Sequence, residues 1–130
     1  MRRTGRGREG SVSCTHGTGS LDPTTFDFTV SLSQCTPGSN ENRKGTLTGS
    51  PEGGTIVWEP SGQTTIGSLA MFSPSQEALC RKGWTETDVT GTITGGTSTY
   101  TAVNDGVTIH ACLNSKTNRV MLAKGTAATF

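Results

Sequence analysis

Four cysteines constrain this chain more than any other feature of its sequence. Their number is even and no C-x-x-C spacing occurs, a combination that favours disulfides over a zinc site. Cys14 and Cys35 lie nearly equidistant from a turn at residues 20–25, so a hairpin places them opposite each other and leaves Cys80 to pair with Cys112. Disulfides persist in oxidising compartments, which predicts a secreted or cell-surface protein. The alternative is a cytosolic protein with four buried free thiols.

The composition predicts a β protein with a thin hydrophobic core. Leu, Ile, Val and Phe together number 22 of 130 residues, whereas Thr, Gly and Ser number 24, 18 and 13. Threonine is β-branched, so it suits a pleated surface and disfavours helix. Closing a loop of about 20 residues with a disulfide contributes roughly 3 kcal/mol, which matters greatly for such a core.

The charge of the chain is uneven along its length. Residues 1–10 hold four of the eleven basic residues, and the remainder carries a net charge of −2, from seven basic against nine acidic side chains. We expect a basic disordered tail over 1–10, a single β domain over 11–130, and no nucleic-acid partner. No apolar segment of signal-peptide type follows the basic start, so the numbering begins at a new Met, the start is misassigned, or export is wrong. No run of about 20 apolar residues predicts a membrane span.

Two segments show the alternation of a strand with one buried face. In the first, Phe26, Phe28, Val30 and Leu32 alternate with polar residues. In the second, Val107, Ile109, Ala111 and Leu113 share one face, whereas His110 and Cys112 share the other.

Shorter segments between turn residues predict the remaining elements. Strands are expected at 45–49, 55–58, 64–66 with an extension to 72, 85–94 and 119–130, and a single helical turn is expected at 73–79. The total is about seven to nine short strands at spacings of roughly 8–14 residues, which is typical of an antiparallel β-sandwich or a small barrel.

Several segments resemble those of a loose group of small secreted β-rich proteins of actinobacteria. They are Cys14-Thr-His-Gly-Thr-Gly-Ser-Leu-Asp-Pro23, Phe26-x-Phe-x-Val-x-Leu-x-x-Cys35, Gly45-Thr-Leu-Thr-Gly49, Thr55-x-x-Trp58 followed by Gly62-x-Thr-Thr65, Thr90-Gly-Thr-Ile-Thr-Gly-Gly96 and Gly125-Thr-Ala-Ala-Thr-Phe130. The resemblance covers about residues 11–130 and implies a secreted β fold. It implies no reaction, cofactor or catalytic residue.

The two histidines are the first candidates for a metal site. His16 and His110 each lie two residues from a cysteine, and with Asp22 or Asp27 they could approach each other across a sheet. Cys-x-His lacks the usual spacing of zinc ligands, however. We therefore expect two half-exposed imidazoles beside structural disulfides, with no metal and no cofactor.

Catalytic patterns are weak in this sequence. No G-x-S-x-G is present, and the cysteines are assigned to disulfides. Glu52 with Glu59, or Glu86 with Asp88, could serve as the paired carboxylates of a glycosidase, but both pairs are expected on solvated strand faces and turns. No catalytic residue is predicted.

Three aromatic side chains could bind a ligand by stacking. Trp58 shares strand parity with Ile56, which predicts a place in the core. Trp84 and Tyr100 are the predicted ligand-binding residues, because flat aromatic faces suit the apolar faces of sugars.

These observations predict a non-enzymatic binding or structural domain that acts outside the cell. Its partner would be an extracellular protein or a glycan recognised by loops at 36–43, 59–63 and 95–106, with the domain as a monomer or a dimer. One alternative is a proteinase inhibitor that presents the segment Ala78-Leu79-Cys80-Arg81-Lys82. The other is a small β-barrel enzyme for a hydrophobic metabolite, which needs an open apolar interior.

Overall fold

The computed structural model describes residues 12–36, 42–72, 80–98 and 100–130. They form nine strands, and each of the first seven pairs antiparallel with the next along the chain. The strands are β1 (Ser13–Leu21), β2 (Phe28–Thr36), β3 (Asn42–Ser50), β4 (Gly53–Pro60), β5 (Gln63–Phe72), β6 (Thr85–Gly96), β7 (Gly106–Asn114), β8 (Arg119–Leu122) and β9 (Ala128–Thr129). Within the described ranges, no helix has the length and apolar character needed to cross a bilayer.

The sheet closes on itself to form an eight-stranded antiparallel barrel. β8 pairs with β7 on one side and with β1 on the other, where Gly19 lies opposite Val120. The chain then leaves the sheet, and β9 pairs with the start of β1 and with β7. The protein is therefore a barrel and not a sandwich, and closure leaves no free edge strand among the eight.

Large side chains fill one end of the barrel. Trp58 and Phe130 meet there edge to face, with ring centroids 5.9 Å apart and planes at 80°. Val12 and Phe130 exchange both backbone hydrogen bonds, N–H to O=C, at 3.1 and 2.9 Å. Trp58, Phe130 and Val12 are at most 2% exposed, so this end is sealed by packed side chains.

Both predicted disulfides are formed. Cys14 and Cys35 lie directly opposite each other on β1 and β2, as expected for a hairpin, and both are buried in the core. Cys80 joins Cys112 of β7. No free cysteine occurs in the described parts of the chain. Two disulfides indicate an oxidising environment.

Two predicted strands differ from the observed ones, and two other predicted segments lie outside the described residues. The strand expected from Phe26 begins instead at Phe28, because Phe26 lies in the β1–β2 turn with φ 64° and 49% exposure. The strand expected over 119–130 is broken into β8 and β9, with residues 123–127 between them. The helical turn expected at 73–79 and the basic tail at 1–10 lie outside the described residues.

Gly19 is required where β1 passes β2 closely. A Cβ at this position would overlap the carbonyl oxygen of Thr29, a backbone atom that cannot rotate away. We expect Gly19→Ala to lower the free energy of unfolding by about 3 kcal/mol, at the upper end of ordinary overpacking costs. Urea denaturation followed by circular dichroism measures this change.

Gly17→Ala is the matched control, two residues earlier in the same strand. Its Cβ would meet Leu32 Cδ2 at 3.4 Å and Val30 Cγ1 at 3.5 Å, which are ordinary van der Waals contacts. We expect this variant to stay within about 1 kcal/mol of the wild type. Equal destabilisation by both alanines would contradict the close approach at Gly19.

Candidate functional site

An apolar cavity lies inside the barrel at the end opposite Trp58. Its volume is about 70 Å³. The walls come from β1, β2, β3, β5, β6, β7 and β8. The lining residues include Leu21, Phe28, Val30, Leu32, Leu47, Met71, Thr87, Val89, Ile109, Ala111, Leu113, Val120, Met121 and Leu122. Leu21, Phe28 and Leu113 are only part-buried, in contrast to the sealed end. The cavity therefore has a mouth toward the end that carries the β1–β2 and β7–β8 turns.

Strand alternation explains the apolar walls. In β7, Ile109, Ala111 and Leu113 point inward as predicted, and Thr87 and Val89 do the same in β6. Thr87 supplies the single polar side chain among the described residues that line the cavity. Gly17 and Ala111 carry little or no side chain, so the interior is not filled at their level. The walls can accept an apolar molecule but offer it little hydrogen bonding.

The size of the cavity limits its ligand. Its volume is about half that of a roughly 150 Å³ apolar cavity that binds benzene. The Met71 side chain lines it, and methionine has three rotatable bonds and a polarizable thioether, so this part of the wall can move to accommodate a guest. A small, compact apolar group fits this space better than a long chain.

A second group of functional side chains lies on the outer face of the barrel. Glu86 and Asp88 of β6 alternate with the inward-facing Thr87, so both point outward. Asp88 pairs directly with His110 of β7, and Glu86 pairs with Cys112. His110 Nδ1 lies 3.0 Å from Asp88 Oδ1 and 3.4 Å from Glu86 Oε2. We call Glu86, Asp88 and His110 the outer cluster.

The outer cluster is more buried than its sequence suggested. Glu86 is 3% and Asp88 8% exposed, so the expectation of a solvated strand face was wrong for this pair. Burial raises the pKa of the Glu86 carboxyl above its ordinary value, and the hydrogen bond and charge of Asp88 raise it further, whereas His110 partly opposes the shift. Glu52 and Glu59, the other nominated pair, are exposed as expected.

The two predicted ligand-binding aromatics lie far apart. Trp84 precedes β6 and Tyr100 follows it, and twelve extended residues span on the order of 35 Å. Tyr100 packs against the hydrophobic core. Trp84 lines a groove of about 620 Å³ on the outer face, where the Arg81 guanidinium lies 5.3 Å from its ring centroid. The two do not share one platform, and a binding role for either stays a prediction.

The sequence suggested that His16 and His110 could approach each other with Asp22 or Asp27, but the structure shows a different arrangement. His16 is exposed on β1 and borders the groove that Trp84 lines. Asp22 and Asp27 lie in the β1–β2 turn, where Asp22 Oδ1 accepts the Thr24 N–H at 2.8 Å. His110 instead contacts Glu86 and Asp88. The sequence shows the Glu86-x-Asp88 spacing, which places both carboxylates on one face of a strand, but it does not show the register that sets them beside His110.

The predicted recognition loops are described only in part. Residues 37–41 and 99 lie outside the described ranges, as do Ala78 and Leu79 of the proposed inhibitor segment. The loop at 59–63 is a tight connection between β4 and β5. The Trp58 N–H donates to the Gly62 carbonyl across it, at 2.9 Å.

No family model, curated protein or solved structure matches this chain. The described residues therefore establish a small all-β barrel with two disulfides, and its function has to be inferred from its own geometry.

Proposed function

We propose that this protein is an extracellular, non-enzymatic binding protein that holds a small apolar molecule inside its barrel. The observation that carries the proposal is the apolar cavity, whose exposed lining surface comes from apolar atoms. Burial of apolar ligand surface contributes roughly 25 cal/mol per Å², so walls of this kind favour a compact hydrophobic guest.

The division of the barrel into two ends supports the same function. The sealed end, with Trp58 and Phe130, holds the strands in place independently of any ligand. Eight-stranded barrels have an interior just wide enough for side chains or for one small ligand. Here the side chains fill one end and leave space at the other, which suits a container with a single mouth.

The absence of titratable groups from the described cavity walls favours binding over catalysis at this location. General acid–base chemistry needs a carboxyl, imidazole or similar group within hydrogen-bond reach of the reacting atom. The lining residues in the described ranges offer only the Thr87 hydroxyl. A hydrophobic metabolite held here would therefore be carried or sequestered.

The extracellular setting is part of the proposal. It is supported by the two disulfides, which persist where the surroundings are oxidising. We also propose that the chain belongs with the small secreted β proteins of actinobacteria that its cysteine-bracketed segments resemble.

Titration of the full chain with xenon, a compact apolar atom, tests the cavity. We expect saturable shifts of the methyl resonances of cavity-lining residues such as Val30 and Leu122, with one site per chain. Gly17→Val places a branched side chain among Leu32, Val30 and Leu122 and fills the space, so the affinity should fall at least about tenfold, or 1.4 kcal/mol.

Gly95→Val is the matched control for that titration. It makes the same change in β6, where an added Cβ meets nothing within 4 Å, and it should leave the affinity unchanged. Circular dichroism checks that both variants keep the β fold. Non-saturable shifts, or equal xenon affinities of the Gly17 and Gly95 variants, would overturn the proposed cavity site.

A further inference from the structure

The outer cluster brings three potential metal ligands together from two neighbouring strands. One ligand atom each from Glu86, Asp88 and His110 lies within 4.8 Å of the other two. The imidazole Nδ1 faces both carboxylates, at 3.0 Å from Asp88 Oδ1 and 3.4 Å from Glu86 Oε2. Metal–ligand bonds of about 2.1 Å hold neighbouring donors about 3.0 Å apart in an octahedron and about 3.4 Å apart in a tetrahedron. The observed separations match the edges of such coordination shells.

An unpartnered buried oxygen is the second observation. Glu86 as a whole is only 3% exposed. Its Oε1 atom is fully shielded from solvent and has no hydrogen-bond partner among the described residues. A buried polar atom without a partner costs roughly 1–3 kcal/mol. A cation coordinated by the Glu86 carboxylate would compensate that cost and also screen the repulsion between Glu86 and Asp88.

The strand register makes this arrangement rigid. Asp88 and His110 are direct cross-strand partners, and Glu86 lies opposite Cys112, which is fixed to Cys80 by a disulfide. A metal site requires ligands that are already oriented, because ordering flexible side chains would reduce the affinity. The register and the disulfide supply that order before any ion binds.

Access and donor type indicate the class of ion. The His110 side chain is 35% exposed, so the outer cluster borders solvent and a bound ion could keep water at its remaining positions. Cys112 is consumed in its disulfide, which leaves one nitrogen and two carboxylates as donors. Imidazole selects against Mg²⁺ and Ca²⁺, which prefer oxygen ligands alone, and suits Zn²⁺ and its neighbours.

We propose that Glu86, Asp88 and His110 form a binding site for one divalent metal ion of the Zn²⁺ type, with an open coordination position toward solvent. The site lies on the outer face of the barrel and is separate from the apolar cavity. Three protein ligands plus water is the arrangement of zinc sites that take a further ligand, so an anionic or carbonyl group could bind the ion there.

Isothermal titration of the full, metal-free chain with Zn²⁺ at pH 7 tests the site. We expect one ion per chain and retention of Zn²⁺ in excess Mg²⁺ or Ca²⁺. Glu86→Gln keeps the shape of the side chain and removes its charge. Loss of outer-shell partners of a metal costs about 10–100-fold in affinity, so loss of this ligand should cost more than about 100-fold.

The chain offers matched controls for both kinds of ligand. His110→Ala should abolish tight binding, whereas His16→Ala, which changes the only other histidine, should not. Glu52→Gln, at an exposed turn, controls for Glu86→Gln. Zn²⁺ should also shift the Nδ1 resonance of His110 and leave that of His16 in place, a nuclear magnetic resonance measurement on the wild-type chain that does not depend on folding of any variant.

Three results would overturn the metal site. The first is no Zn²⁺ binding at micromolar concentrations. The second is binding that persists in Glu86→Gln and His110→Ala, which would assign the ion elsewhere. The third is a Zn²⁺ titration in which the His110 Nδ1 resonance does not move, which would leave the outer cluster as a hydrogen-bonded group only.

Discussion

Reduction of both disulfides is expected to lower the free energy of unfolding by about 7 kcal/mol. The bridges close loops with sequence separations of 21 and 32 residues. In the chain-entropy model, loops of these lengths contribute about 3.3 and about 3.7 kcal/mol by restricting the unfolded chain. Domains of this size are stable by only about 5–15 kcal/mol, so the reduced chain should be largely unfolded at 25 °C or close to its transition.

Urea denaturation with and without a phosphine reductant measures this effect. The paired variants Cys14→Ala/Cys35→Ala and Cys80→Ala/Cys112→Ala separate the two contributions. The first pair lies in the core, so its removal also leaves small voids beside β1 and β2. We expect it to be the more damaging of the two, although its loop is the shorter.

A chain that unfolds at the same urea concentration in both conditions would contradict this prediction. It would also remove the physical reason for assigning the protein to an oxidising compartment. The controls are a mass measurement, which checks that the reductant has opened both bridges, and refolding after reoxidation, which checks reversibility.

The hairpin that carries Cys14 and Cys35 was predictable because the residues that determine it lie close together in the sequence. A turn centred between two cysteines fixes their pairing, and the observed register places them opposite each other. The same holds for the faces of β7, where inward Ile109 and outward His110 follow from alternation alone. Phe26 was placed wrongly because alternation continues into the turn, where φ is positive and the side chain leaves the sheet.

Closure of the barrel was not predictable from these patterns. A strand with one buried face has the same sequence pattern in a sandwich and in a barrel. Whether the sheet closes depends on pairing between β1 and β8, which lie about a hundred residues apart. The break after β8 was missed for a related reason. The chain re-enters the sheet as β9 only because β1 and β7 present partners there.

The candidate sites depend on the same long-range register. The sequence contains Glu86, Asp88 and His110, but only the pairing of β6 with β7 brings the two carboxylates to the imidazole. The cavity depends on which small residues, such as Gly17 and Ala111, meet across the interior. Trp58 was assigned correctly to the core because its parity with Ile56 is a local property.

Trp58→Ala is expected to lower the free energy of unfolding by about 3–5 kcal/mol, the usual cost of truncating a buried large aromatic residue. Trp58 is 2% exposed and contacts Phe130 edge to face. Its indole Nε1–H donates to Thr64 Oγ1 at 2.8 Å, and that hydroxyl also pairs with Thr101 Oγ1 at 2.8 Å. The substitution therefore removes packing and one buried hydrogen bond from the sealed end.

Two further variants separate the contribution of packing from that of the hydrogen bond and compare the two tryptophans. Trp58→Phe keeps an aromatic ring against Phe130 but lacks the N–H, so it should cost less than the alanine change, on the order of 1–3 kcal/mol. Trp84→Ala changes the only other tryptophan, which is part-buried beside Arg81 outside the barrel, and should cost about 1 kcal/mol or less. Chemical denaturation of the three variants ranks them. If Trp84→Ala proved as destabilising as Trp58→Ala, the sealed end would not be the part of the barrel that holds its strands together.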